Sequence, residues 1–136
     1  MQINPYLSFD GRCREAFEFY ARVLQGEIVM ISTFGEMPDE MQVGDEWKDR
    51  IVHVTLVANG QTLMGSDAPS PHFTKPQGFS VTLTTDTSSE AERLYGALIE
   101  GGTVFMEMQE TVWAERFAMF ADRFGTPWMI SCNKPL

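Results

Sequence analysis

"REAFEFYARVLQGE" (residues 14–27) returns 75 residues later as "SEAERLYGALIEGG" (89–102), and that recurrence decides how the rest of the chain is read. In the first copy Ala16, Phe19, Tyr20, Val23 and Leu24 fall at i, i+3, i+4, i+7 and i+8, the apolar stripe of an amphipathic helix. Ala91, Leu94, Tyr95, Leu98 and Ile99 repeat the stripe, and Glu15 is matched by Glu90. Gly26 predicts a left-handed stop to the first helix, and Gly101 with Gly102 closes the second. A period of this length marks a duplicated supersecondary unit.

The repeat extends outward from the helices. "WKDRI" (47–51) comes back as "WAERF" (113–117) at a shift of 66, which also sets His53 against Met119. "VANGQTLMGS" (57–66) and "ADRFGTPWMIS" (121–131) both read as strand, glycine turn, strand, with Gly60 matching Gly125 and Met64 matching Met129. Extended runs at 3–9 and 78–84 precede helices at 12–24 and 88–100, and three further strands follow each helix. The reading is therefore α+β: one domain of two tandem βαβββ modules, 1–70 and 78–133, joined by a Pro- and Ser-rich linker at 71–77. One helix covers one face of each sheet, so the opposite faces are left free to form a cupped mixed sheet.

Composition narrows the partners. Ten Lys and Arg against nineteen Asp and Glu give a net charge of -9, which repels nucleic-acid phosphates and anionic membranes. The start of the chain carries no basic, then apolar, export segment, and no run approaches the roughly 20 apolar residues of a membrane span. A cytoplasmic protein is the expectation. Cys13 and Cys132 form neither a disulfide framework nor a metal cluster by spacing.

The segments "NPYLSFDG" (4–11), "EAFEFY" (15–20), "LMGSDAP" (63–69), "QETVWAERF" (109–117) and "DRFGTPWMIS" (122–131), in that order, resemble the PhnB-like subgroup of the vicinal oxygen chelate superfamily. That superfamily includes glyoxalase I, bleomycin-resistance proteins and extradiol dioxygenases, and PhnB-like members often carry the label 3-demethylubiquinone-9 3-methyltransferase. The resemblance implies paired modules forming a cup in a homodimer, and says little about chemistry. It also implies where metal-using relatives hold their ligands, on the first and last strands of each module. Those positions carry over to Asn4, Met64, Phe79 and Met129. Thioethers suit soft ions such as Cu(I) and phenylalanine offers no donor, so the expectation is no metal and no cofactor.

Other chemistries find little footing. The first strand runs into "FDGRC" (9–13) and "EGGT" (100–103) follows a helix, so neither makes a GxGxxG nucleotide turn. The segment "GEMPDEMQVGDEWKD" (35–49) holds six acids and one lysine, a local charge of -5, and reads as a lid or a solvated hairpin tip, with Glu36, Met37 and Trp47 of first interest. Glu110 beside Trp113 is the preferred catalytic candidate, on the argument that an aromatic neighbour in a dry pocket raises a carboxyl pKa. His53 is the second, and His72 reads as a loop residue. Asn4, Tyr6, Trp47, Met64, Phe79, Trp113, Trp128 and Met129 are expected to line the ligand pocket. The leading function is a metal-free protein binding a small apolar or aromatic molecule. The alternatives are an isomerase or lyase using Glu110 or His53, and sequestration of an antibiotic-type ligand between tryptophans.

Overall fold

Helices end, in this chain, where a glycine lets a strand pass close. In the computed structural model, which describes residues 1–38, 44–68 and 72–136, β1 (Tyr6–Phe9) leads into α1 (Cys13–Val23) and then β2 (Glu27–Thr33). The left-handed residue after α1 is Gln25, at φ 55°, not Gly26 as the sequence suggested. Gly26 is there for space, since a Cβ would stand 2.7 Å from the Val57 carbonyl oxygen and 2.8 Å from the Ala58 Cβ.

Two 3-10 turns, Phe34–Glu36 and Asp45–Trp47, flank the β2–β3 connection, and β3 (Ile51–Ala58) and β4 (Gln61–Asp67) complete a sheet ordered β1-β4-β3-β2. The second set repeats this: β5 (Val81–Thr84), α2 (Ser88–Leu98), β6 (Thr103–Gln109), β7 (Ala114–Ala121) and β8 (Pro127–Asn133), ordered β5-β8-β7-β6. In both sheets the first strand pairs parallel to the last and the others are antiparallel. This is an α+β fold of tandem βαβββ modules. The chain divides into two compact units, Met1–Lys75 and Pro76–Leu136. Their boundary falls inside the stretch read as the linker, whose first residue lies outside the described residues.

Period-2 alternation sorts each sheet into two faces. In the first unit Leu7, Phe9, Val54, Leu56 and Leu63 are buried toward α1, whose Phe17 meets Phe9 edge-on with ring centroids 6.0 Å apart. In the second, Ala118, Phe120, Trp128 and Ile130 are buried toward α2, whose Tyr95 packs on Phe120 at 5.6 Å. The remaining strand positions point to the other face.

Two buried carboxylates fasten the strand ends. Asp67 accepts the Gly11 and Cys13 N–H groups on Oδ1 at 2.8 and 3.0 Å, and the Ile51 N–H on Oδ2 at 2.9 Å. It therefore caps α1, whose own N-cap residue, Arg12, makes no side-chain cap bond. Asp122 holds the β7–β8 turn, accepting the Phe124 and Thr126 N–H groups on Oδ1 and the Trp128 indole N–H on Oδ2 at 2.8 Å. In the second unit capping is local: the Thr87 hydroxyl accepts the Glu90 N–H.

Candidate functional site

Strand register builds a matched row of side chains on the face each sheet turns away from its helix. In the first unit Tyr6 lies opposite Met64, Met64 opposite Thr55, and Thr55 opposite Met30. In the second Thr82 lies opposite Met129, Met129 opposite Met119, and Met119 opposite Met106. Directly opposed residues share a face, so each row runs across four strands, with a β-bulge beside Met30 in β2 and one on each side of Met106 in β6. The rows also correct the repeat alignment. With Met64 matched to Met129, the counterpart of Met119 is Thr55, not His53, because the turn Asp122–Thr126 carries one residue more than its partner around Asn59 and Gly60.

The first row gains an acid–base group. Tyr6 Oη lies 3.0 Å from His53 Nδ1, and His53 Nε2 lies 2.8 Å from Thr55 Oγ1. The Tyr6 and His53 rings are 5.6 Å apart and tilted. Tyr6 is 46% exposed, so the outer end of this chain is open to a ligand. Either direction of hydrogen bonding is available: an imidazole with Nδ1 bare accepts from the phenol, and one protonated there donates to it. The arrangement can therefore present Tyr6 as an acceptor or as a donor.

Other expected site residues are placed elsewhere. Asn4 and Phe79 precede the strands, not on them, because Pro5 has no N–H to extend the pairing and Gly78 turns the backbone at φ 83°. Tyr6 and Thr82 take the positions opposite Met64 and Met129. Trp128 points to the helix side, 1% exposed, with its indole bonded to Asp122. Trp47 carries the Arg50 guanidinium over its ring at 4.2 Å and packs on Phe34. Trp113 stands edge-on to Phe117 at 5.2 Å. In the acidic 35–49 segment, Glu36 is fixed by the Thr33 N–H and hydroxyl at 3.0 and 3.1 Å, and residues 39–43 lie outside the described residues. His72 is exposed.

Glu110 contradicts the expected pKa shift. Its carboxylate meets Lys134 Nζ at 2.7 Å with the side chain 66% exposed, so the ammonium holds its pKa below the ordinary carboxyl value instead of burial raising it. It borders a shallow groove of about 390 Å³ with Ser88, Glu92, Glu115 and Arg116. There Arg116 pairs with Glu92 at 3.0 Å, and Glu115 accepts from the Ser88 hydroxyl at 3.2 Å.

The two rows also test a metal centre of the kind the fold implies. Tyr6 with Met64 and Thr82 with Met129 offer hydroxyls and thioethers, with no carboxylate. Among the described residues no group of three or more His, Cys, Asp or Glu side chains converges. This donor set does not fit a hard or borderline divalent cation.

Residues 1–131 match the 3-demethylubiquinone-9 3-methyltransferase family. The chain is similar to protein PA1353 from Pseudomonas aeruginosa, 43% identical with a TM-score of 0.88 and 99% of each chain covered. It is similar to the PhnB protein from Bacillus cereus, 28% identical with a TM-score of 0.81, over 97% of this chain and 99% of that one. The genomically encoded fosfomycin resistance protein FosX from Listeria monocytogenes shares the fold at 11% identity, with a TM-score of 0.64 over 98% and 94% of the two chains. No helix among the described residues is long and apolar enough to cross a membrane.

Proposed function

The chain belongs to the 3-demethylubiquinone-9 3-methyltransferase family, a PhnB-like branch of the vicinal oxygen chelate superfamily, and from that premise we propose a metal-free protein that binds a small, partly apolar or aromatic molecule. The observation that supports this is the pair of matched rows. Where relatives that use a metal need imidazole or carboxylate, each module sets a methionine, and its neighbours across the sheet are hydroxyls and further methionines. Flexible thioethers and aromatic rings make an adaptable apolar surface. Each module, 1–70 and 78–133, contributes one such surface within a single domain, working in the cytoplasm as a homodimer.

The family's name does not carry the reaction over. At the β1–α1 turn, where a nucleotide site would offer free N–H groups, those of Gly11 and Cys13 are already bonded to Asp67. A second reading is favoured by the Tyr6–His53–Thr55 chain: proton transfer of the isomerase or lyase type, with Tyr6 touching the ligand and His53 exchanging its proton. Glu110, neutralised by Lys134, has no such support. Sequestration between tryptophans is weakened in the same way, since the Trp128 indole is buried and one Trp47 face is taken by Arg50.

A thermal-shift screen over small aromatic and apolar metabolites, on protein prepared without chelator and assayed for metals, tests the proposal. Stabilisation that grows with ligand concentration, with NMR shifts at Met64 or Met129, is the expected result. A stoichiometric divalent ion that moves those same signals would overturn it. Light scattering should return twice the chain's 15.4 kDa.

A further inference from the structure

We propose that the second unit holds a site for a soft monovalent ion, Cu(I) or Ag(I), formed by the thioethers of Met106, Met119 and Met129. Register sets Met106 opposite Met119 and Met119 opposite Met129, with β-bulges in β6 on either side of Met106, so three adjacent strands bring three methionines to neighbouring positions of one row. Neighbouring Cβ atoms in such a row stand roughly 5 Å apart. The flexible Cβ–Cγ–Sδ arms of the outer two methionines can lean inward toward an ion between them. An ion seated over Met119 is then within reach of all three. Thioether sulfur is uncharged and polarizable, which favours Cu(I) and Ag(I) over hard divalent cations.

The chain contains its own comparison. The equivalent row of the first unit reads Met30, Thr55 and Met64, so the central donor is a hydroxyl and the two sulfurs are separated by a full strand. That row lacks the three-sulfur arrangement and is expected to bind no soft ion. The thiols do not share either face: Cys13 is on α1 and fully buried, and Cys132 is buried, its Sγ 4.0 Å from the Ser88 hydroxyl of α2. The proposal does not depend on the small-molecule reading, whose metal-free state concerns a divalent centre, whereas this site takes only a soft monovalent ion.

The test is titration of Ag(I) into the full chain carrying Cys132→Ala, read by the methyl signals of its nine methionines. The signals of Met106, Met119 and Met129 should move together and stop near one equivalent. Met119→Leu, which conserves volume, should weaken binding roughly tenfold or more, and Met64→Leu should leave it within about twofold. Met106→Leu, on the exposed edge strand, should weaken it as well and guards against a folding defect at Met119. Equal movement of the Met30 and Met64 signals, no movement of any methionine, or unchanged affinity in both Met119→Leu and Met106→Leu would overturn the site.

Discussion

Asp67→Ala should cost the first unit about 3 to 5 kcal/mol. The carboxylate is 2% exposed and accepts three backbone N–H groups, those of Gly11, Cys13 and Ile51, at 2.8 to 3.0 Å. Each donor left without a partner in a buried place costs about 1 to 3 kcal/mol, and the Gly11 group, part-buried, can recover some of that from water. Asp67→Asn separates hydrogen bonding from bulk. Its carbonyl oxygen can keep the Gly11 and Cys13 bonds, but the amide nitrogen then faces the Ile51 N–H, donor against donor, for a loss of about 1 to 3 kcal/mol. Urea unfolding followed by the fluorescence of Trp47, with Trp113 and Trp128 replaced by phenylalanine in every protein compared, reports the midpoints and slopes. The order wild type, Asn, Ala is required. An alanine variant within about 1 kcal/mol of wild type, or an asparagine variant as damaged as alanine, would refute the capping argument.

Trp128→Phe keeps most of the apolar burial but removes the indole bond to Asp122, for an expected loss of about 1 to 3 kcal/mol by urea unfolding of the second unit. Burial, with a smaller contribution from the nearby Asp67 charge, pushes the Cys13 thiol well above the ordinary thiol range, so it should stay protonated and resist a disulfide reagent at mildly alkaline pH until the protein is denatured. Lys134→Ala should let the Glu110 pKa rise toward the ordinary carboxyl value in an NMR titration. The sign follows from the lowered folded pKa: the ion pair favours the fold above the carboxyl range, and that contribution is lost as pH falls through the folded value. Because the group is exposed, the acid-side melting curve should not separate measurably from wild type. Tyr6→Phe should leave stability within about 1 kcal/mol but move the His53 Nδ1 resonance, since the phenol is its hydrogen-bond partner.

What the sequence revealed and what it hid divide along range of interaction. The helices and the βαβββ order were legible because stripe and turn are local: Ala16 to Leu24 and Ala91 to Ile99 need only their own spacing. Asp67 was passed over because a cap is sought next to the helix it caps, whereas here the acceptor lies 54 residues from the Cys13 N–H. The left-handed stop expected at Gly26 belongs to Gln25, and Gly26 is needed for its close approach to Val57 and Ala58 on another strand. The raised pKa expected at Glu110 is reversed by Lys134, an ion pair that joins 110 to 134 and leaves no trace in spacing. Thr55, Thr82 and Met119 were missed although alternation was visible, because one extra residue in the second turn slips the alignment and only pairing restores it.

The two rows show how one four-strand register can present different side chains in its two halves. Residues facing the helices, such as Leu56 and Phe120, are fully buried, so a change there leaves a cavity or a clash. Row residues on the opposite face such as Tyr6, Met30 and Met106 are exposed, so a substitution there alters the surface at little cost to the fold. Tyr6, Met64, Thr55 and Met30 can thus be exchanged for Thr82, Met129, Met119 and Met106 on the same four-strand register. The first set has the Tyr6–His53–Thr55 hydrogen-bonded chain within it; the second is a soft strip with no titratable group in the row. A ligand using the first row needs a polar end for Tyr6, and one resting on the second needs only polarizable surface. Exchanging Thr55 and Met119 between the rows should therefore move soft-ion affinity from one unit to the other, while each helix keeps its place.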